Sequence, residues 1–358
     1  MTSPFPFKRQ LPITATSLIE SLRRVQIDAT EEHLRRFAAL DYAKTIERGG
    51  VLKPGQEAKD IKVPSQQIAQ SIQISAGDYA VYWKWQKTKI VYDVEPTLMQ
   101  ALADMDTSDV LPGGVLRQLP HPNPLFIFTG GHPTVHKDGA SGLIRALYVT
   151  GQRADKTMCD TSDPDAAQFQ LTFVSDLVND DGDVVDSDSV RISIELADHS
   201  FTIRRAIEQV LKDYAWEPLL ADRASDDQKR NYLEALAHFG VAHLLYVCSD
   251  KADTHRQAVG RRPPRKGQRP DRPVKLHKVG WNIGPAIKAA REVTEQAQRT
   301  SGGTAQRTVA PHIRKAHLHT FKHGPGRRLA KVKWLPPIFV NSKGEQVMTD
   351  GTIVPVTQ

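Results

Sequence analysis

The sequence predicts an α+β protein with an N-terminal helical region, a central antiparallel sheet with helices, and a basic C-terminal α/β module. Three observations predict it: apolar residues recur at helical spacing before residue 119, short β runs follow one another from there, and basic residues concentrate near the end of the chain. A chain of 358 residues is long enough for roughly two or three domains. We therefore predict a helical region over 1–118, a sheet-plus-helices domain over 119–258 and a basic module over 259–358.

The first region is predicted to be helical because its apolar residues are three or four positions apart. Leu34 and Phe37 follow this spacing after Thr30, which is a suitable N-cap residue. A further helix is predicted between Glu95 and Met105. We expect these segments to form a mainly helical N-terminal region.

The central region contains four β runs with no helical pattern between them. They are Leu125–Phe128, Leu143–Val149, Phe169–Val174 and Val190–Leu196. Consecutive strands of this kind favour an antiparallel sheet. The carboxylates of Asp176–Asp188 lack the spacing of a calcium-binding EF-hand loop, so we predict a solvated hairpin loop there.

Helices are predicted on both sides of a basic linker. The first two span about 203–216 and 228–247, and the second is apolar almost all round, which is typical of a buried helix. His238 and His243 lie in it and are interpreted as core or interface histidines. The linker, 260–275, is rich in Pro and Arg, and another helix follows at about 285–298.

The charge of the chain is strongly asymmetric. Residues 251–358 contain 22 Lys and Arg against 6 Asp and Glu, whereas the preceding residues contain 26 against 35. Such a basic section is typical of proteins that bind an anionic partner, most often nucleic acid or the ribosome. Internal complementarity is the alternative, with the basic section docked on the acidic body.

Several function classes find no support in the sequence. It has no GxxxxGK[ST] phosphate loop, no GxSxG nucleophile motif and no CxxC pair, and its two cysteines cannot build a disulfide framework. No apolar run approaches the ~20 residues that span a bilayer, and the N-terminus has no signal-peptide pattern. We expect no membrane association, no cofactor and a reducing compartment.

The segment from Pro311 to Gly324 concentrates histidines and basic residues. If it is extended, His317 and His319 fall on one face together with Lys315. Three chemistries stay open: a shared metal ion, RNA cleavage by a pair of imidazoles, or a basic binding surface. We assign no metal ligand and no catalytic residue. The candidate residues for binding nucleic acid or a partner are Arg261, Arg262, Arg265, Lys266, His312, Arg314, Lys315, His317, His319, Lys333 and Trp334.

Trp334 completes this set because an aromatic side chain among positive charges is typical of single-strand RNA binders. The alternation of Leu329–Leu335 describes an ordinary half-buried strand equally well. Both interpretations stay open at this point.

A family resemblance lies in the same part of the chain. It rests on Pro311 to Arg314, His317, His319, Gly324, Trp334 and Phe339 to Ser342. This pattern resembles the C-terminal signature of the second family of type V-A anti-CRISPR proteins, which come from mobile genetic elements such as phages and plasmids. The order of earlier elements is similar from about Leu119, so the resemblance extends over roughly 119–342.

The resemblance implies a function. Members of this family prevent production of the type V-A effector nuclease: they recognise the N-terminal part of the nascent effector polypeptide and cause loss of its messenger RNA during translation. The implied partners are that nascent polypeptide and the translating ribosome or mRNA, in the cytoplasm of the bacterial host. The alternatives are an intrinsic ribonuclease that uses the His cluster, and a nucleic-acid-binding accessory protein of a plasmid or phage. Whether the protein is an enzyme is left open, with a non-enzymatic regulator preferred.

Overall fold

The structure, a computed structural model, describes most of the chain after residue 80. The described residues are 81, 84–105, 110–111, 113–135, 141–155, 157–179, 181–196, 201–202, 208, 225–258, 274–300, 312–327, 329–340, 345–349 and 352–356. The predicted helical pattern around Leu34 lies outside them, as do nearly all of the predicted helix at 203–216 and the linker at 260–275.

Four α-helices and sixteen strands are complete within the described residues, which also include a helical stretch at 84–88 and a 3-10 helix at Pro325–Arg327. The helices are α1 (Pro96–Ala103), α2 (Gly113–Leu116), α3 (Asp226–Cys248) and α4 (Ile283–Thr300). The strands are β1 (Ile90–Val94), β2 (Val110–Leu111), β3 (Leu125–Val135), β4 (Ser141–Gln152), β5 (Met158–Cys159), β6 (Gln168–Val178), β7 (Val184–Glu195), β8 (Phe201–Thr202), β9 (Thr254–Gln257), β10 (Lys275–Val279), β11 (His312–Arg314), β12 (His317–His323), β13 (Leu329–Leu335), β14 (Ile338–Val340), β15 (Glu345–Thr349) and β16 (Thr352–Val356).

An eight-stranded sheet forms the centre, in the order β7-β6-β4-β3-β1-β10-β9 with β5 paired to β4. The predicted α+β class is confirmed, and the four predicted strands are antiparallel neighbours β3, β4, β6 and β7. The sheet as a whole is mixed, because β1 runs parallel to both β3 and β10. All five residues of β1 are buried, as is usual for a parallel strand covered on both faces.

The sheet takes strands from all three predicted regions of the chain. β1 lies within 1–118, and β10 lies within 259–358. Hydrogen bonds join these two strands over the whole of their length, from Ile90 opposite Lys275 to Val94 opposite Val279. The division of the chain into three domains stays a prediction.

Each face of the sheet packs against a separate apolar cluster. The larger cluster joins one face, through residues such as Phe173, to Leu98 of α1, Leu236 of α3 and Ile287 of α4. The smaller cluster covers the other face and includes Trp85. Ile90, Tyr92 and Val94 belong to the larger cluster and Val91 to the smaller one, since successive strand side chains point to opposite faces.

Helix α3 is the buried helix that the sequence predicted. Ser225 and Gln228 form a capping box at its start, which satisfies backbone N–H groups that have no partner within the helix. Gly240 faces β6 so closely that a Cβ there would lie 2.6 Å from the Phe173 ring. His243 is buried, as predicted for a core histidine.

The predicted Asp-rich hairpin is confirmed only in part. The turn between β6 and β7 exposes Asp181 and Asp183, as expected for a solvated loop. Asp176 is different because it lies inside β6 and is 4% exposed. Its carboxylate receives a 2.8 Å hydrogen bond from Nε of Arg145, which compensates a buried charge.

The C-terminal residues form a four-stranded sheet, a two-stranded ribbon and helix α4. Strands β11, β14, β15 and β16 form a four-stranded sheet, and β12 pairs with β13 in a two-stranded ribbon. Helix α4 corresponds to the helix predicted at 285–298. Asp253 accepts hydrogen bonds from the backbone N–H groups of Asn282 and Ile283 at 2.8 and 3.0 Å, which caps the start of α4.

Two sequence expectations about chemistry can be compared with the described residues. Cys159 and Cys248 are both free and buried, in agreement with the prediction of no disulfide framework. None of the described helices combines the length and the apolar character that crossing a membrane requires.

Candidate nucleic-acid interface

The predicted binding residues fall into groups that the fold separates. Arg261, Arg262, Arg265 and Lys266 lie outside the described residues. His312 and Arg314 lie in β11, which pairs with β14 in the four-stranded sheet. His317, His319, Lys333 and Trp334 lie in the β12–β13 ribbon. The segment from Pro311 to Gly324 therefore contributes to two different sheets.

The ribbon presents a cationic face. Antiparallel pairing places His319 opposite Lys333 and Phe321 opposite Lys331, so these side chains share one face. His317, His319 and Lys333 are exposed, as is Lys315, two residues before the ribbon begins. The His319 and Phe321 rings are stacked with 6.3 Å between their centroids. We call Lys315, His317, His319, Phe321, Lys331 and Lys333 the ribbon face.

The expectation for Trp334 as an exposed stacking platform is wrong. Trp334 is 8% exposed and belongs to the main core cluster. Its ring meets that of Tyr246 on α3 edge-on, with 5.2 Å between the centroids. It lies on the opposite side of β13 from Lys333, so the indole anchors the ribbon to the body of the protein. The half-buried strand interpretation of Leu329–Leu335 is the correct one.

Internal charge complementarity accounts for part of the basic section. Three of its cations form ion pairs with carboxylates of the acidic body: Lys278 with Asp93, Arg291 with Asp104, and Lys331 with Asp250. The Lys278 ammonium also lies 3.9 Å above the Trp281 ring, a favourable cation–π geometry. The alternative of docking between the two sections is thus observed at these three positions.

The ribbon face does not contain a metal site within the described residues. No group of three or more His, Cys, Asp or Glu side chains in this part of the chain is arranged to hold a metal ion. A zinc site needs three or four such ligands, and His317 and His319 supply two.

A cleft of about 300 Å³ lies beside β5. Its charged groups are paired with each other: Lys84 lies 3.4 Å from Asp160, and Arg153 lies 2.8 Å from Asp163. Hydrogen bonds from Asp165 N–H and from Arg153 hold the pKa of Asp163 below its usual value. Internal pairing leaves this cleft without a net charge to attract an ionic ligand.

Sequence reasoning missed two members of the ribbon face, Phe321 and Lys331. The signal was present, because both follow the period-two spacing of the residues already chosen: Phe321 is two positions beyond His319, and Lys331 two before Lys333. Choosing residues by motif rather than by strand parity left them out.

The chain matches the profile of one protein family and is similar to a solved structure. The profile of the AcrVA2-like family, described as the anti-CRISPR type V subtype A2 family, matches residues 92–342. A solved structure, described as the crystal structure of AcrVA2, is similar with a TM-score of 0.47 and 14% identity, over 91% of this chain and 99% of that one. Among curated proteins, no sequence matches the chain.

The family match begins earlier than the sequence resemblance did. The resemblance began at about Leu119, and the match begins at Tyr92, inside β1. It therefore includes α1 and both parallel partners of β1, and it ends at Ser342, the last residue of the resemblance.

Proposed function

This chain belongs to the AcrVA2-like family of type V subtype A2 anti-CRISPR proteins, and from that membership we propose that it blocks production of the type V-A effector nuclease. In this proposal it recognises the N-terminal part of the nascent effector polypeptide and causes loss of the messenger RNA being translated. It acts where translation takes place, in the cytoplasm of the bacterial host. The family match is the observation that supports an anti-CRISPR role.

The ribbon face supports contact with RNA of a translating complex. Its exposed cations, Lys315 and Lys333, flank two exposed imidazoles, and such a surface attracts phosphate backbones over a long range. Contacts to the backbone do not depend on base sequence. The ribbon face can therefore hold any message, and selection of the effector message is left to the peptide.

Edge strand β9 supports recognition of an extended peptide. It is the last strand of the eight-stranded sheet, and all four of its residues, Thr254–Gln257, are exposed. An extended segment can add to such an edge through backbone hydrogen bonds, while pockets for alternate side chains provide selectivity. This mode suits a nascent chain because it needs no folded partner.

Reporter messages distinguish peptide recognition from RNA recognition. We would fuse the effector's N-terminal codons to a reporter and measure its mRNA with and without the protein. Synonymous recoding of those codons should leave the loss of mRNA intact. A frameshift that is restored downstream changes the peptide but hardly the RNA, and should abolish the loss.

Two results would count against the proposal. If recoding alone protects the message, the protein selects RNA sequence and not peptide. If neither change affects the mRNA but the effector protein still fails to accumulate, the block acts after translation.

A further inference from the structure

A second cluster of basic groups lies where β1, β9 and β10 adjoin. The Tyr92 hydroxyl and Nδ1 of His121 share a hydrogen bond of 2.7 Å. The rings of His121 and His277 are 4.3 Å apart between centroids, and those of Tyr92 and His277 are 5.5 Å apart. Arg256 and Lys275 are both exposed beside them.

Strand register brings four of these residues together. β10 pairs in parallel with β1, which places His277 beside Tyr92, and antiparallel with β9, which places Arg256 beside His277. Lys275 is two residues before His277 and therefore shares its face of the sheet. The cluster depends on three strands and is not a local feature of the sequence.

The loop before β3 holds His121 in place. Asn123, with a φ of 43°, is fully buried two residues further on. Its backbone N–H donates to Oγ1 of Thr161 at 2.9 Å, and its side-chain oxygen accepts from the Thr161 backbone N–H at 3.0 Å. This reciprocal pair fixes the loop, so His121 occupies a defined position.

The cluster has positive charge without a counter-charge in the described residues. No described Asp or Glu forms an ion pair with Arg256 or Lys275. Burial, followed by the charges of Lys275 and Arg256, lowers the pKa of His121. Burial, His121 and the same two cations lower the pKa of His277 to about 4. Both imidazoles are therefore neutral at pH 7, and each has one N–H donor.

No hydrogen bond joins the imidazole of His277 to another described residue, and this side chain is 8% exposed. Its ring nitrogens are not among the fully buried atoms that lack a partner. The described part of the chain contributes no third metal-binding side chain here, which argues against a zinc site. An anion would supply what is missing: acceptor oxygens for the imidazoles and negative charge for the two cations.

We propose that Arg256, Lys275, His121 and His277 form a site for a phosphate group. The two cations attract it, the two imidazoles donate hydrogen bonds to it, and Tyr92 orients His121. The phosphate comes either from an RNA backbone or from a free nucleotide, since both present negatively charged phosphate oxygens. The inference does not rest on the proposed function, because it concerns anion binding by the isolated protein.

Histidine NMR of the full chain tests the site directly. Ring signals of His121 and His277 would be followed in a titration with inorganic phosphate. Binding of an anion should shift both signals and raise the pKa of His277 by about one unit or more, because the anion favours the charged imidazole. Phosphate should also bind more tightly as the pH falls, by linkage. If phosphate leaves both signals unchanged at millimolar concentration, the proposal is wrong.

Paired variants show whether the named cations are responsible. R256Q with K275Q should weaken phosphate binding at least tenfold. The control, K251Q with K288Q, removes the same charge from exposed positions elsewhere and should leave binding within twofold. Equal losses in both double variants would mean general charge attraction and would overturn the site. The titration of the wild-type protein tests the proposal by itself. The proposal can therefore be rejected even if the R256Q/K275Q variant does not fold.

Two further ligands distinguish the sources of the phosphate. One is a 5′-mononucleotide, and the other is a single-stranded oligoribonucleotide without terminal phosphates. Shifts of His121 and His277 with the oligonucleotide identify an RNA backbone site, and shifts with the mononucleotide alone identify a nucleotide site. Shifts with neither ligand, despite a response to inorganic phosphate, would contradict both sources and with them the proposal. Failure of the reporter experiment above would leave these results unaffected.

Discussion

Nζ of Lys331 lies 2.9 Å from a carboxylate oxygen of Asp250, which joins the β12–β13 ribbon to the residues that follow α3. Trp334, also in β13, contacts Tyr246 near the end of α3. An ion pair and an apolar contact therefore hold the ribbon to the body together. The hydrogen bond from Lys331 is the main reason that the pKa of Asp250 is below its usual value.

Replacing Lys331 by Met should raise the pKa of Asp250 towards its ordinary value, because the hydrogen bond and the nearest positive charge are removed. Carboxylate NMR titration of the full chain measures this change. Lys315→Met is the control, since Lys315 is exposed and is not among the groups that act on Asp250. An unchanged Asp250 titration in the Lys331 variant would mean that the ion pair is absent in solution.

Acid should destabilise the protein through His243. This imidazole is buried, its Nδ1 lies 2.6 Å from the Phe239 carbonyl oxygen, and burial lowers its pKa to about 4. The unfolded chain binds a proton there below its ordinary pKa of roughly 6.5, whereas the folded protein does not, so the free energy of unfolding falls between pH ~6.5 and ~4. The loss from this residue is on the order of 3 kcal/mol.

Urea unfolding at several pH values tests the role of His243. His243→Leu should make the free energy of unfolding less dependent on pH over that window, whatever its effect at pH 7. His238→Leu, on the same helix, is the control. If wild type and the His243 variant have parallel pH profiles, the imidazole does not stay neutral in the fold.

Gly240→Ala should destabilise the protein by about 1–3 kcal/mol, since overpacking a core is costly. The added Cβ would lie 2.6 Å from the Phe173 ring, and the better helix propensity of Ala offsets up to about 1 kcal/mol of that cost. Denaturant midpoints measure the change. Ala235→Ser, on the exposed side of α3, should be nearly neutral. A gain in stability for Gly240→Ala would contradict the close packing of α3 on β6.

The double variant His317→Gln with His319→Gln should retain most RNA affinity and most mRNA loss in cells. Glutamine keeps hydrogen-bonding capacity but cannot transfer protons at neutral pH, so the variant separates binding from acid–base catalysis. A ribonuclease would instead lose cleavage by ~10²-fold or more with its affinity preserved. Cleavage of naked RNA by the wild type, abolished in this variant at an unchanged melting temperature, would establish the enzyme.

Removing Arg261, Arg262, Arg265 and Lys266 together should weaken RNA binding and flatten its dependence on salt. Each lost phosphate contact changes the slope of log affinity against log salt by roughly one unit. Filter binding from low to physiological salt measures it, and Lys288→Gln is a single-charge control outside this segment. An RNA affinity that is independent of salt would contradict backbone binding by the basic section.

Local pattern was sufficient to predict the elements whose side chains repeat regularly. The alternation of Val190–Leu196 and the apolar length of α3 gave strand and helix at the right places. Alternation along β13 puts Trp334 on the opposite side of the strand from Lys333, whereas residue composition suggested that the two share a surface. Alternation predicted the face of Trp334 better than composition did, because it follows from strand geometry.

Long-range pairing explains what was missed. β1 is a short run of five residues, mostly apolar, in a region with a helical pattern, and short runs of this kind do not distinguish a strand from a buried helix. Its partner β10 is distant in sequence, so nothing near β1 indicates a parallel sheet. The cluster of Tyr92, His121 and His277 cannot be predicted from the sequence either, because these residues are far apart along the chain and only strand pairing brings them together.

Because β1 lies between β3 and β10, the central sheet cannot be completed until the ribosome has synthesised β10. Lys278 follows its partner Asp93 by 185 residues, so one side of β1 has no neighbour until the ribosome has made most of the chain. Closing so long a loop slows folding. A chain interrupted before β10 would display the bare edge of a buried strand, which is a template for association with other chains. Premature termination should therefore produce an aggregating fragment rather than a smaller working protein.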